Sequence, residues 1–173
     1  IDAVLPGGDC EVAIESTVLD LTGEVPMILR PGYTAKEMLE FALGSEVKYD
    51  PALFVDPMHR SEGEEFHPKA PGMKYRHYAP KAEVKIIEGD DDAAVEREIE
   101  EQLRLCKYAR QKAVALNYGR DSKAAAKDFF ARLRELDRED VDGILVRALP
   151  EEELGFSVMN RMLKSAGYDV IHV

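Results

Sequence analysis

From residue 83 to the end, short β-rich runs alternate with helical stripes, and this rhythm constrains the fold more than anything else in the chain. Residues 84–87, 113–117, 143–146 and 168–173 read as strands. Between them, residues 92–110 set Val95, Ile99, Leu103 and Cys106 on one helical face. Residues 122–136 do the same with Ala125, Phe129, Leu133 and Leu136, and residues 156–166 with Met159, Met162 and Leu163. Apolar residues three and four apart mark a helix with one buried side. The order βαβαβαβ predicts a small open α/β sheet, mainly parallel, with helices against its faces.

A sheet of this kind invites a dinucleotide site, and the residues argue against one. The first strand-to-helix turn reads E-G-D-D-D, not G-x-G-x-x-G. Three aspartates at a helix start suit the helix dipole but repel a pyrophosphate. Asn117, Arg120 and Arg147 fall in other loops at strand carboxyl ends. They read as ordinary exposed polarity, with a grip on a small anion as the alternative.

The first 44 residues follow another pattern. Residues 1–10 look like the end of an element and a turn. Residues 11–21 (E-V-A-I-E-S-T-V-L-D-L) are β-rich, with Ser16 and Thr17 where apolar residues would be the easy choice. An edge strand with hydroxyls facing water explains that pair. Residues 26–30 read as its hairpin partner. Arg30 closes that strand before Pro31 and Gly32, as a surface cation or as a clamp held at a strand end. Thr34 to Glu37 match a capping box for a short helix carrying Met38, Leu39 and Ala42, and Gly44 is a suitable stop. Two strands and a helix cannot make a core, so they are expected to finish a domain begun earlier. The chain opens on Ile1 within an ordinary segment and is expected to be a piece of a longer protein.

Residues 45–82 hold no sustained period, so the expected division is 1–44, 45–82 and 83–173. The last part of the connection, residues 67–82, reads H-P-K-A-P-G-M-K-Y-R-H-Y-A-P-K-A, with no acidic residue in a chain of net charge -11. Its prolines and Gly72 rule out a helix or central strand. It is either a stiff spacer or a strap across an anionic ligand, with Lys and Arg as phosphate donors and Tyr as a flat surface. The overall charge excludes general binding to nucleic acid, because phosphate binding is a count of cations. His59 and His67 fit no standard metal-ligand spacing. Cys10 and Cys106 form no paired motif, which fits a reducing, cytoplasmic setting, and no apolar run is long enough to span a membrane.

Three segments, E-S-T-V-L-D-L at 15–21, M-I-L-R-P-G at 27–32 and A-P-G-M-K-Y-R-H-Y-A-P at 70–80, together resemble the long-form threonylcarbamoyl-AMP synthases. In that family a YrdC-like catalytic domain is joined through a linker to a smaller C-terminal α/β domain. R-A-L-P-E-E-E-L-G-F-S-V-M-N-R at 147–161 resembles the last part of that domain, so the likeness covers nearly the whole chain.

The resemblance implies a nucleotidyl transfer. L-threonine, bicarbonate and ATP, with Mg2+, give threonylcarbamoyl-AMP and pyrophosphate for the t6A modification of tRNA. It puts Ser16 at a threonine contact, and Arg30 and Ala70 at ATP contacts. Ala70 stands where the family usually has serine, so a hydroxyl contact is lost. Lys74, Tyr75, Arg76 and Tyr78 would cover the pocket mouth. The family's K-x-R and S-x-N motifs lie upstream of the region that this chain resembles, so the chain alone is expected to be inactive without the missing N-terminal catalytic part. Two other readings compete. One is a non-catalytic α/β regulatory or interaction module. The other is an RNA-binding module acting through 67–82, which the net charge disfavours.

Overall fold

A computed structural model of the chain describes residues 2–8, 12–54 and 79–173. Strand β1 (Val18–Asp20) pairs antiparallel with β2 (Met27–Arg30), the hairpin expected from the sequence. Helix α1 (Lys36–Leu43) follows, then a two-residue strand β3 (Lys48–Tyr49) lying parallel to β2, and a 3-10 turn at Pro51–Leu53. That strand and turn fall inside the stretch that reads as featureless. A strand of two residues shows no period, and it exists because β2 offers it an open edge.

Residues 12–17 do not continue β1 as the β-rich run suggests. Their backbone groups find other partners: the Ala13 amide donates to the Ala126 carbonyl at 3.1 Å, and the Ser16 carbonyl accepts from the Arg30 side chain. The capping box at Thr34 is also absent. Ala35 is the N-cap residue and no side chain caps α1, because Thr34 lies one residue too early and its carbonyl accepts from the Thr17 hydroxyl at 2.8 Å. Gly44 ends the helix in the left-handed conformation, as expected. Of the expected apolar stripe of α1, Leu39 is half-buried while Met38 stays 52% exposed, and the neighbouring Phe41 is 92% exposed.

The second unit is the predicted open sheet, and it is wholly parallel. It comprises β4 (Glu83–Glu88), β5 (Ala113–Leu116), β6 (Gly143–Arg147) and β7 (Val170–His172), in the order β5-β6-β4-β7. Helices α2 (Asp92–Tyr108), α3 (Ser122–Arg138) and α4 (Leu154–Ala166) make the crossovers. The path from β4 to β5 runs one way along the sheet and the later two run back. Right-handed connections therefore put α2 on one face and α3 and α4 on the other. Two apolar clusters reflect this split. Ile87 and Leu145 meet Val95 and Ile99 of α2, whereas Val84, Ile86, Ile144 and Val146 meet Phe129, Val158 and Met162 on the opposite face. Strand alternation explains why adjacent residues such as Ile86 and Ile87 serve different helices. Two sequence-read boundaries move by two residues because Arg110 and Tyr168 adopt left-handed backbone, ending α2 early and delaying β7.

Candidate functional site

Ser16 and Arg30 lie side by side. A register shift between Val18 and Leu19 sets Val18 opposite Arg30 while Leu19 faces Ile28. Such a bulge re-aims side chains at a strand end. Arg30 Nε donates to the Ser16 carbonyl at 3.1 Å, and its Nη2 to the Ser16 hydroxyl at 3.3 Å. Beyond Arg30 the chain turns at Pro31 and crosses directly over residues 15–17. A Cβ on Gly32 would stand 2.4 Å from both the Glu15 carbonyl and the Thr17 amide, so only glycine permits this crossing. The Thr17 hydroxyl, bonded to the Thr34 carbonyl, holds the far side.

The crossing rests on α4. Ser157 Oγ donates to the Gly32 carbonyl at 2.8 Å. Arg161 Nε donates to Glu15 Oε2 at 2.8 Å, while its Nη2 donates to the Pro31 carbonyl at 3.1 Å. One turn on lies Lys164, only 8% exposed. Burial pushes its ammonium down to about 8; Arg161 and Arg30 push the same way and Glu15 opposes them. Residues 157, 161 and 164 form one stripe at helical spacing, on a helix whose opposite side carries Val158 and Met162 into the core. That polar stripe is legible in the sequence as a break in the apolar pattern. Reading the helix only for Met159, Met162 and Leu163 passes over it. Phe156 adds an apolar anchor, its ring 4.4 Å from Tyr49 and 5.7 Å from Phe54.

A second cleft, of about 460 Å³, opens where the loops after β4 and β6 diverge. This is the place where open parallel sheets commonly bind ligands. Arg147, read from sequence as exposed polarity, is buried at 8% exposure. It donates to Asp92 and, at 3.2 Å, to Glu96. Arg120 reaches the same Asp92 at 3.1 Å, and Asn117 donates to Glu96 at 2.8 Å. Hydrogen bonding from Arg120, with the charge of Arg147, holds the Asp92 carboxyl below the usual range. These groups stitch the start of α2 to the strand ends, and their charges are spent on one another rather than on an anion.

The other candidate residues, Ala70, Lys74, Tyr75, Arg76 and Tyr78, lie outside the described residues, as do Cys10, His59 and His67. Of the basic segment, residues 79–82 are described; the Lys81 amide donates to Asp137 on α3 at 2.8 Å, which pins the end of the segment to the second unit. No three metal-ligating side chains converge among the described residues, and no helix among them is long and apolar enough to cross a membrane.

A parallel α/β unit whose last helix clamps a polar strand crossing defines a two-part α/β protein with its conspicuous polar surface at the junction. Comparison with known proteins narrows that class. Residues 34–167 match the family described as threonylcarbamoyl-AMP synthase, C-terminal domain. The chain is similar to the threonylcarbamoyl-AMP synthase of Pyrococcus abyssi, at 38% identity over 100% of this chain and 52% of that one. It is 34% identical to the enzyme of the same name from Schizosaccharomyces pombe, over 96% of this chain and 45% of the relative. A crystal structure of P. abyssi Sua5 complexed with L-threonine superposes with a TM-score of 0.83 at 39% identity, covering 96% of this chain and 50% of that one. The chain belongs to the threonylcarbamoyl-AMP synthase family and spans about half the length of the curated relatives it matches.

Proposed function

We propose that this chain is the C-terminal part of an L-threonylcarbamoyladenylate synthase, a nucleotidyltransferase that makes threonylcarbamoyl-AMP for tRNA t6A modification. Ser16 contacts L-threonine and Arg30 contacts ATP. The single observation that carries the reading is their adjacency, with the Arg30 guanidinium 3.3 Å from the Ser16 hydroxyl. A reaction joining threonine, bicarbonate and ATP needs the amino-acid and nucleotide contacts within one small space. The P. abyssi protein of similar structure is complexed with L-threonine, which supports threonine as the substrate.

In this reading a carbamate oxygen attacks the α-phosphorus, the bond to the bridging oxygen breaks, and pyrophosphate leaves with its electron pair. Fixed cations stabilise the charge that develops, and Arg30 is one of them. Mg2+ carried by the nucleotide phosphates would neutralise part of their charge. The family resemblance gives the basic segment 67–82 the role of a lid, with Lys74 and Arg76 as phosphate donors and Tyr75, Tyr78 and the backbone of Ala70 as its cover; exclusion of water by such a lid would protect the mixed anhydride. One arginine and one serine are too few for catalysis, so turnover requires the N-terminal half that the relatives carry. The exposed apolar side chains Tyr33, Met38 and Phe41 suit contact with that half.

The test measures pyrophosphate release by the complete polypeptide. Ser16→Ala should raise the KM for threonine about tenfold with little change in that for ATP, and Arg30→Ala should do the reverse. Unchanged KM values in both variants would end the reading.

A further inference from the structure

We propose that Arg161 of α4 is a positioning residue, holding the Ser16 and Arg30 segments in register from the second unit. The proposal rests on the assignment of Ser16 and Arg30 above.

Arg161 is 4% exposed, and it bonds two separate stretches of chain from different nitrogens. One partner, the Glu15 carboxylate, immediately precedes Ser16. The other, the Pro31 carbonyl, immediately follows Arg30. A single planar guanidinium thus spans the gap across which the two candidate contacts must stay aligned. A planar fork is suited to this, since it loses little freedom on making several bonds at once. Ser157 repeats the arrangement one turn earlier, at the Gly32 carbonyl, so two rungs of the same helix carry the crossing. Neither the Arg30 bonds to Ser16 nor the tight passage at Gly32 reaches the second unit; the bonds from Ser157 and Arg161 do.

Arg161 has no role in the chemistry itself. Its effect passes through the geometry of Ser16 and Arg30. Without it, a half-buried carboxylate and a buried carbonyl lose the Arg161 guanidinium that joins them, and the two segments are freer to move apart. A displacement of about 1 Å at such a site is enough to lose up to roughly a hundredfold in rate.

The experiment is a cycle of variants in the complete polypeptide, read as KM and kcat for threonine by pyrophosphate release. Arg161→Ala should raise the KM for threonine by about tenfold or more, and Arg161→Lys, which reaches one acceptor and not both, should recover part of it. Combining Arg161→Ala with Ser16→Ala should add little to Ser16→Ala alone, because the first acts through the second. A merely structural arginine would lower Tm and leave KM at its wild-type value well below the melting temperature, and that result overturns the proposal. Should Arg161→Ala fail to fold, Glu15→Ala removes the other end of the ion pair and must raise the same KM. If Ser16→Ala itself leaves KM unchanged, the functional reading falls first; if Ser16→Ala works and Arg161→Ala and Glu15→Ala do not, this inference alone fails.

Discussion

Lys164 shows how a single residue sets a cost. Its ammonium sits at 8% exposure among Arg161, Arg30 and Glu15, with its pKa lowered from the ordinary 10.5 to about 8. The folded value lies below the unfolded one, so between those limits the unfolded chain holds more protons and stability rises with pH. Below the lower limit both states are charged and the full penalty applies, of order 3 kcal/mol. The advantage of Lys164→Met over the wild type in urea unfolding should therefore be largest near neutral pH and fade as pH rises through 8 towards 10.5. An advantage that does not change with pH would show that burial is not what shifts this group. A lysine held at such a cost belongs to a surface chosen for charge rather than for packing. Its identity was visible in the sequence and its burial was not, because nothing local says that residues 15 and 30 come to rest beside residue 164.

At the level of elements, what was legible depended on whether a signal was local. Helices α2 and α3 announced themselves by long stripes, and β4 to β6 by short apolar runs. Each N-cap aspartate does what its position implies: Asp121 accepts from the Lys123 and Ala124 amides and Asp91 from the Ala93 amide. Thr34 looked equally good and caps nothing, because the Pro31-Gly32 crossing drew its carbonyl to Thr17. Tertiary context overrode the local rule there. Asp121→Ala should accordingly cost about 1 kcal/mol in chemical unfolding, and Thr34→Ala clearly less. Equal losses would mean that the capping geometry of α3 is worth nothing beyond surface polarity. The adjacency of Ser16 and Arg30 was legible only through family resemblance, since a bulge of one residue decides where both side chains point.

For the molecule as a whole, α4 matters most. One side of it packs Val158 and Met162 into the core of the parallel sheet, and the other grips the crossing that carries Ser16 and Arg30. A helix bonded to both couples the loosening of one unit to that of the other. On the proposed function, threonine and ATP added to the complete polypeptide should therefore slow amide hydrogen exchange in β4 and β6, strands to which neither Ser16 nor Arg30 belongs. Protection confined to residues 12–35 would show that the helix does not transmit the effect. The same linkage has a consequence for truncation: a chain cut before α4 would leave the strand crossing without the donors of Ser157 and Arg161 that now brace it.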